Sequence, residues 1–158
     1  MPYSFIELDK LSYQFSTDHG IVYDANFVDY SFLFPEYPEF SKDVYTFNLE
    51  VVKGNIYEQA MDAKIAKTVI AIFLTFFNSK QNIVIYICDT TDDRQFARKR
   101  KFDTWFWRYN DGSFLKEDGL AVISDVPIYN SLLVHKQNKY IDSIIKAFQI
   151  LNERANEK

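Results

Sequence analysis

The alternation of apolar and polar residues predicts three β-strands in the first third of the chain. Ser12–Ser16 and Ile21–Tyr30 both alternate, and the turn residues Asp18-His19-Gly20 lie between them, which is typical of a β-hairpin. Val44–Val52 alternates as well and predicts a third strand with one face in water. The proline-containing stretch Ser31–Asp43 joins the hairpin to this strand as a loop.

The pattern then changes to helical periodicity and unbroken apolar runs. Glu58–Asn78, placed at helical spacing, has polar residues on one narrow stripe only, which predicts a helix buried on several sides. Ile83–Cys88 is apolar without alternation, as in a central strand covered on both faces. Asp92 to Tyr109 and Tyr140–Ala155 predict two further helices.

Two more strands complete the predicted order. Leu120–Ser124 and Ile128–His135 flank the turn residues Asp125-Val126-Pro127. The order βββαβαββα predicts an α+β fold with a mixed, mostly antiparallel sheet. Since no repeat, charged tail or linker interrupts it, we expect residues 1–158 to form a single domain.

The composition indicates a folded chain, and the charged residues are unevenly distributed along it. Hydrophobic residues make up 47% and aromatic residues 18%, which excludes a disordered chain. The net charge is −4, but residues 1–62 carry 11 acids and 3 bases, whereas residues 63–158 carry 11 acids and 15 bases. These regions complement each other, either within the fold or between two copies paired head to tail. The acidic total disfavours general binding to nucleic acid or anionic membranes.

Three features favour a cytoplasmic protein without a membrane anchor. Cys88 is the only cysteine, so an intrachain disulfide is impossible and a reducing compartment is expected. The first ten residues carry acids and lack the pattern of a signal peptide. The most apolar run, Val69–Phe77, is too short to span a bilayer.

The segment Cys88–Phe102 is the best candidate for chemistry, because it leaves the carboxyl end of the predicted central strand, where sheets often hold ligands. Its candidate residues for binding an anion or a partner are Asp89, Asp92, Asp93, Arg94, Arg98, Lys101 and Trp105. Helical register places Arg98 among aromatic residues, where it either pairs with nearby acids in a structural role or forms a site with Arg94 and Lys101. The tryptophans offer stacking surfaces for nucleic acid, which the acidic first part of the chain disfavours.

Catalytic and metal sites find little support in the sequence. Cys88 has neither His19 nor His135 near it in sequence, and these residues lack the spacing of zinc ligands. Asp92 and Asp93 lack further oxygen ligands for a divalent ion. We therefore predict no catalytic residue, metal or cofactor.

The chain resembles an uncharacterised family of small bacterial proteins, known only as a domain of unknown function. The resemblance rests on Ile85–Asp89, Asp93–Gln95, Arg98–Arg100, Phe102 and Trp105-Phe106, and it extends over most of the chain. It implies no activity.

The element order is also similar to that of GNAT-type N-acetyltransferases. Those enzymes hold the coenzyme A pyrophosphate on a glycine-rich turn, whereas Lys53–Asp62 at the equivalent position has one glycine and two acids. The likeness implies a shared topology without the cofactor.

The sequence thus predicts a small interaction or regulatory module without catalytic activity, with a protein partner or a second copy as its ligand. Two alternatives remain at this point. One is a diverged acyltransferase-like enzyme, and the other is a protein that binds an anion or nucleotide through the Asp89–Lys101 segment.

Overall fold

The structure, a computed structural model, describes residues 1–54, 63–88 and 95–156; for residues 95–99, 102, 109 and 156 it describes the backbone alone. The strands are β1 (Phe5–Asp9), β2 (Ser12–Ser16), β3 (Val22–Asp29), β4 (Val44–Lys53), β5 (Ile83–Ile87), β6 (Phe114–Ile123) and β7 (Val126–His135). The helices are α1 (Ala63–Phe76), α2 (Gln95–Tyr109) and α3 (Ile141–Asn156).

The strands form one seven-stranded sheet in the order β1-β2-β3-β4-β5-β7-β6. β4 and β5 are parallel, with Val44 opposite Ile83. The pairs β1–β2, β2–β3, β5–β7 and β6–β7 are antiparallel. This arrangement confirms the predicted α+β class and the mixed, mostly antiparallel sheet.

The structure adds one strand to the predicted order, since β1 precedes the predicted hairpin. β1 lies at the edge of the sheet, and its residues Ile6 and Leu8 are exposed alongside Glu7 and Asp9. Ile6–Asp9 does alternate between apolar and acidic residues, but over four positions only, so its signal in the sequence is short.

Both strands of the last hairpin begin earlier than predicted, whereas β7 ends at His135 as predicted. β6 begins at Phe114 rather than Leu120, because charged side chains occupy several of its positions and hide the alternation. The turn is Ser124-Asp125, whose φ angles of 52° and 66° match the two-residue turns that connect twisted strands. Pro127 therefore lies inside β7, opposite Val122, and beyond the last residue pair between β7 and β5.

The chain forms two compact units, of which the first contains residues 1–28 and 47–79. The prediction that residues 1–158 form one domain stays a prediction. In this unit α1 packs against an aromatic strand surface, where the ring of Phe27 stacks on that of Phe76 at 3.7 Å between centroids and meets that of Phe73 at 5.5 Å. Thr68 is buried as well, and its hydroxyl donates to Lys64 O and accepts from Tyr3 N–H.

The helix predicted over Glu58–Asn78 is confirmed over Ala63–Phe76, and it ends two residues earlier than predicted; residues 58–62 lie outside the described part of the chain. Phe73 is 7% exposed, as expected for a residue packed in a core. Leu74 is 42% exposed, so the predicted burial of the whole apolar arc is wrong at that position.

The second unit contains residues 29–46 and 80–158, and α3 covers one face of its strands. Its core consists of Phe34, Phe40, Val44, Ile83, Ile85, Leu132, Val134, Ile144, Ala147 and Phe148. Buried polar groups fix α3 on this face, because Asn152 accepts a hydrogen bond from the Asn130 amide (2.8 Å) and donates one to Phe148 O. Gly119 leaves room for Asn152, since a Cβ there would lie 2.6 Å from its Cγ. Within the described ranges, no helix has the length and apolar character needed to cross a membrane.

Candidate functional site

Helix α2 belongs to the second unit and carries the end of the segment that the sequence singles out. It ends at Tyr109, as predicted, and the turn that follows is closed by a hydrogen bond from Gly112 N–H to Asn110 Oδ1 (3.1 Å). Gly112 has a φ of +90°, a conformation that favours glycine and stops the helix. The residues before Gln95, from 89 to 94, lie outside the described part of the chain.

The inner side of α2 is joined to the sheet by a buried cation. The Lys116 side chain on β6 is 5% exposed, and its Nζ lies 2.7 Å from Asp103 Oδ1 on α2. Asp118 also pairs with this ammonium and accepts a hydrogen bond from Ser131 Oγ at 2.8 Å. The ring of Phe106 lies on another side, with its centroid 5.9 Å from Nζ. Because a buried charge is costly without such partners, this cluster fixes α2 against β6 and β7.

Lys116 and its neighbour Glu117 show which helix lies on each face of β6. Glu117 accepts a hydrogen bond from Gln149 of α3 (3.0 Å), whereas Lys116 pairs with Asp103 of α2. Successive residues of a strand point to opposite faces, so α2 and α3 cover opposite faces of β6.

The outer side of α2 is exposed and carries cations around an indole. We call it the basic–aromatic face; it comprises Arg100, Lys101, Thr104, Trp107 and Arg108. Each of the other four lies three or four residues from Thr104, so that they share one side of the helix. Trp107 is 78% exposed, although its ring also meets that of Phe106 edge-to-face at 5.9 Å. Three cations and one large apolar side chain thus lie on the exposed side of this helix.

The structure describes only part of the predicted site. Lys101 lies on the basic–aromatic face, and Trp105, four residues further along α2, is half-buried. Arg98 belongs to α2, but its side chain is outside the described part, so both proposed roles for it stay predictions. The remaining candidates, Asp89, Asp92, Asp93 and Arg94, also lie outside the described residues.

Sequence reasoning missed the two residues that define this region. It did not single out Lys116, because the strand that carries it was predicted to begin only at Leu120. It chose Trp105 over Trp107 as a site residue, although the seven-residue spacing from Arg100 to Trp107 places the latter indole on the charged side of the helix.

The described residues do not form a cluster of metal-binding side chains, and Cys88 and His135 each have a backbone hydrogen bond. Cys88 is buried after β5, and its N–H donates to Tyr129 O at 3.0 Å. The Nδ1 atom of His135 accepts a hydrogen bond from Gln137 N–H at 3.0 Å. Among the described residues, no three or more His, Cys, Asp or Glu side chains are grouped to hold a metal ion.

Comparison with known proteins gives one match. The model of a family described as a family of unknown function (DUF6169) matches residues 61–150, more than half of the 158 residues. No curated protein and no solved structure matches the chain. The likeness to GNAT-type N-acetyltransferases therefore stays a prediction.

Proposed function

We propose that this chain, which belongs to the family of unknown function DUF6169, is a non-catalytic interaction module that binds a protein through the basic–aromatic face of α2. The observation that carries the proposal is the exposure of Trp107, at 78%. Tryptophan and arginine are enriched among the residues that dominate binding energy at protein interfaces. Here an exposed tryptophan lies on the same side of a helix as Arg100 and Arg108.

The indole and the cations would contribute differently to binding. Burying a tryptophan side chain removes about 150–250 Å² from water, which corresponds to about 4–6 kcal/mol before the costs of ordering are subtracted. Exposed ion pairs contribute about 0–1 kcal/mol each, but they orient the partner and speed its approach. The partner is therefore expected to offer an apolar recess for Trp107 with carboxylates around it.

The charge of the whole chain favours a protein over nucleic acid as this partner. The net charge is −4 and the isoelectric point is about 5.2, so a long polyanion would be repelled by most of the molecule. A local acidic surface on a protein needs only the cations of α2. The alternatives of an anion or nucleotide site and of an acyltransferase-like enzyme have no described contact in their favour.

The packing of α2 also suits a binding surface. The Asp103–Lys116 pair holds the helix from its inner side, at 2.7 Å. A helix that is fixed before binding loses little conformational entropy when the partner arrives, which raises affinity.

Site-specific photo-cross-linking tests the proposal. A benzophenone amino acid replaces Trp107 in one variant and Ser143, an exposed residue of α3, in a control variant. Irradiation in cells should give an adduct with an identified protein from position 107 and not from position 143. Adding Arg100→Glu and Arg108→Glu should remove that adduct, because both substitutions reverse charge on the binding face.

The matched control reverses two exposed charges elsewhere in the same unit, with Lys136→Glu and Lys146→Glu. It should leave the adduct unchanged. Equal adducts from positions 107 and 143, or an adduct at 107 that survives charge reversal on α2, would contradict the proposal.

A further inference from the structure

We infer that the edge strand β1 binds an extended segment of a partner protein, in which basic and apolar residues alternate, and adds it to the sheet as a further strand. β1 lies at the border of the sheet and pairs with β2. A strand at a border directs the N–H and C=O groups of alternate residues away from the sheet, where another strand can pair with them. β1 belongs to the first unit, so this inference goes beyond the function proposed for α2.

The two faces of β1 differ in chemistry. Glu7 lies opposite Tyr13 in the pairing with β2, and its neighbour Ile6 points to the other face. Leu8 lies on the same face as Ile6, because side chains alternate along a strand. Burial raises the pKa of Tyr13, and the nearby carboxylates of Glu7 and Asp9 raise it further, as expected if both lie on its face. The edge is thus apolar on one face and acidic on the other.

The side chains on both faces of this edge are accessible. Ile6 is 58% exposed and Leu8 is 53% exposed, and Glu7 and Asp9 are exposed as well. Asp9 Oδ1 also accepts a hydrogen bond from Leu11 N–H, which does not neutralise its charge. Proteins usually protect the border of a sheet, since exposed apolar residues there promote association. An added strand would therefore gain contacts on either face of β1.

The alternation along β1 determines which residues an added strand needs. The side chains of that strand alternate too, so every second one lies beside the two apolar side chains and the others lie beside the two carboxylates. Apolar residues fit the first set, and basic residues fit the second because opposite charges on neighbouring strands attract. In this mode of recognition main-chain hydrogen bonds supply affinity, and the alternating side chains supply specificity.

The charge of the neighbouring strands favours a basic partner over a second copy of this chain. β1, β2 and β3 contain four acids, Glu7, Asp9, Asp24 and Asp29, and no base. Lys10, the next base along the chain, lies in the turn that follows β1. Pairing β1 with the same strand of a second copy would bring the carboxylates of both edges together, which is unfavourable. A basic segment meets no such repulsion.

Binding of synthetic peptides provides the test. The probe is a short peptide that alternates valine and lysine. One control peptide alternates valine and glutamate, and the other has the composition of the probe with its valines and lysines in separate blocks. Fluorescence anisotropy should show saturable binding of the probe alone. Amide hydrogen exchange in β1 should slow when the probe binds, while exchange in α3 stays unchanged, because the added strand protects the outward N–H groups of β1.

Charge reversal on the edge shows which side chains select the partner. Glu7→Lys with Asp9→Lys should weaken binding of the probe about tenfold or more, because two attractions become repulsions. The same variant should bind the valine–glutamate peptide, a gain that requires a folded protein. The matched control, Glu39→Lys with Glu153→Lys, reverses two exposed charges of the second unit and should bind the probe as the natural chain does.

Three results would overturn the inference. They are the absence of saturable binding to the probe, equal binding of the peptide with separate blocks, and unchanged hydrogen exchange in β1 while the probe binds. Self-association without any peptide, measured by light scattering and lost in an Ile6→Ser with Leu8→Ser variant, would make a second copy the occupant and would also contradict it. None of these results bears on α2, which lies in the other unit, so cross-linking tests the proposed function separately.

Discussion

At the scale of single residues, Lys116 accounts for how a charged helix is held on the sheet. Its ammonium is buried between Asp103 and Asp118, with the ring of Phe106 nearby. The sequence predicts that a cation lies among the aromatic residues of α2, and it names Arg98. The side chain of Arg98 lies outside the described part of the chain, so this stays a prediction. The structure does describe one cation beside an aromatic ring of α2, and it is Lys116 of β6.

We expect Lys116→Met to lower the free energy of unfolding by about 1–3 kcal/mol, because it leaves the Asp103 carboxylate against an apolar side chain. Urea denaturation measures this value. Adding Asp103→Leu to Lys116→Met should recover part of the loss, since the pair is then replaced by apolar groups. The control Lys136→Met, at an exposed position, should change stability by less than about 0.5 kcal/mol. Equal effects at positions 116 and 136 would contradict a buried ion pair.

At the scale of elements, α1 combines a buried and an exposed position that are adjacent in sequence. Phe73 contacts the rings of Phe27 and Phe47, at 5.5 and 4.7 Å between centroids. Leu74 follows it and lies largely in solvent. The contrast between Phe73 and Leu74 shows that the arc of α1 with Phe73 faces the aromatic strand surface of its unit.

Phe73→Ala should therefore cost about 3–5 kcal/mol, as expected for a cavity left in a packed core. Leu74→Ala, the neighbouring control, should cost less than about 1 kcal/mol. Thermal or urea unfolding followed by circular dichroism compares the two variants. Similar losses at both positions would mean that the helix is rotated relative to this structure.

The contact between β6 and α3 depends on Gly119. A Cβ at this position would overlap the amide of Asn152, which is hydrogen-bonded to Asn130. Gly119→Ala should cost about 1–3 kcal/mol, because the buried amides lose their partners when Asn152 moves. In an Asn152→Ala background the same change should cost less, and a double-mutant cycle measures the difference. Strict additivity would show that the two residues are not coupled.

At the scale of the whole molecule, two phenols link stability to alkaline pH: Tyr13, which is buried in the first unit, and Tyr45, which is half-buried in the second. Burial raises the pKa of Tyr13, and nearby carboxylates act in the same direction. Burial likewise raises the pKa of Tyr45, again with nearby carboxylates adding to it. Both phenols thus stay protonated in the folded state at pH values where they ionise in the unfolded state.

Stability should therefore be constant up to the ordinary phenol pKa of about 10 and fall as the pH rises through the higher folded values. The sign follows because the unfolded chain binds fewer protons than the folded one in that range. Tyr13→Phe and Tyr45→Phe should each make this fall less steep. The free energy of unfolding of each variant at neutral pH serves as the reference for its values at alkaline pH. An unchanged slope in both variants would contradict the raised pKa values.

Much of the fold follows from local sequence. Ser12–Ser16 is predicted residue for residue, and α2 ends at Tyr109 as its closing turn predicts. These elements have strong local signals, because alternation over one buried face and a glycine with positive φ act within a few residues. The predicted membership in an uncharacterised family is confirmed by the family model that matches residues 61–150. That match also depends on the order of residues along the chain.

The contacts of the charged residues were decided by tertiary structure. A buried lysine is compatible with β6 only because α2 brings Asp103 to it, and residues 103 and 116 lie in different elements. The exposure of Trp107 depends on which side of α2 that contact turns inward. Composition and periodicity by themselves determined an aromatic-rich α+β protein with opposite charges in its two regions. The packing of distant segments determined which charges are buried and which remain on the surface, because desolvation depends on neighbours that the local sequence does not contain.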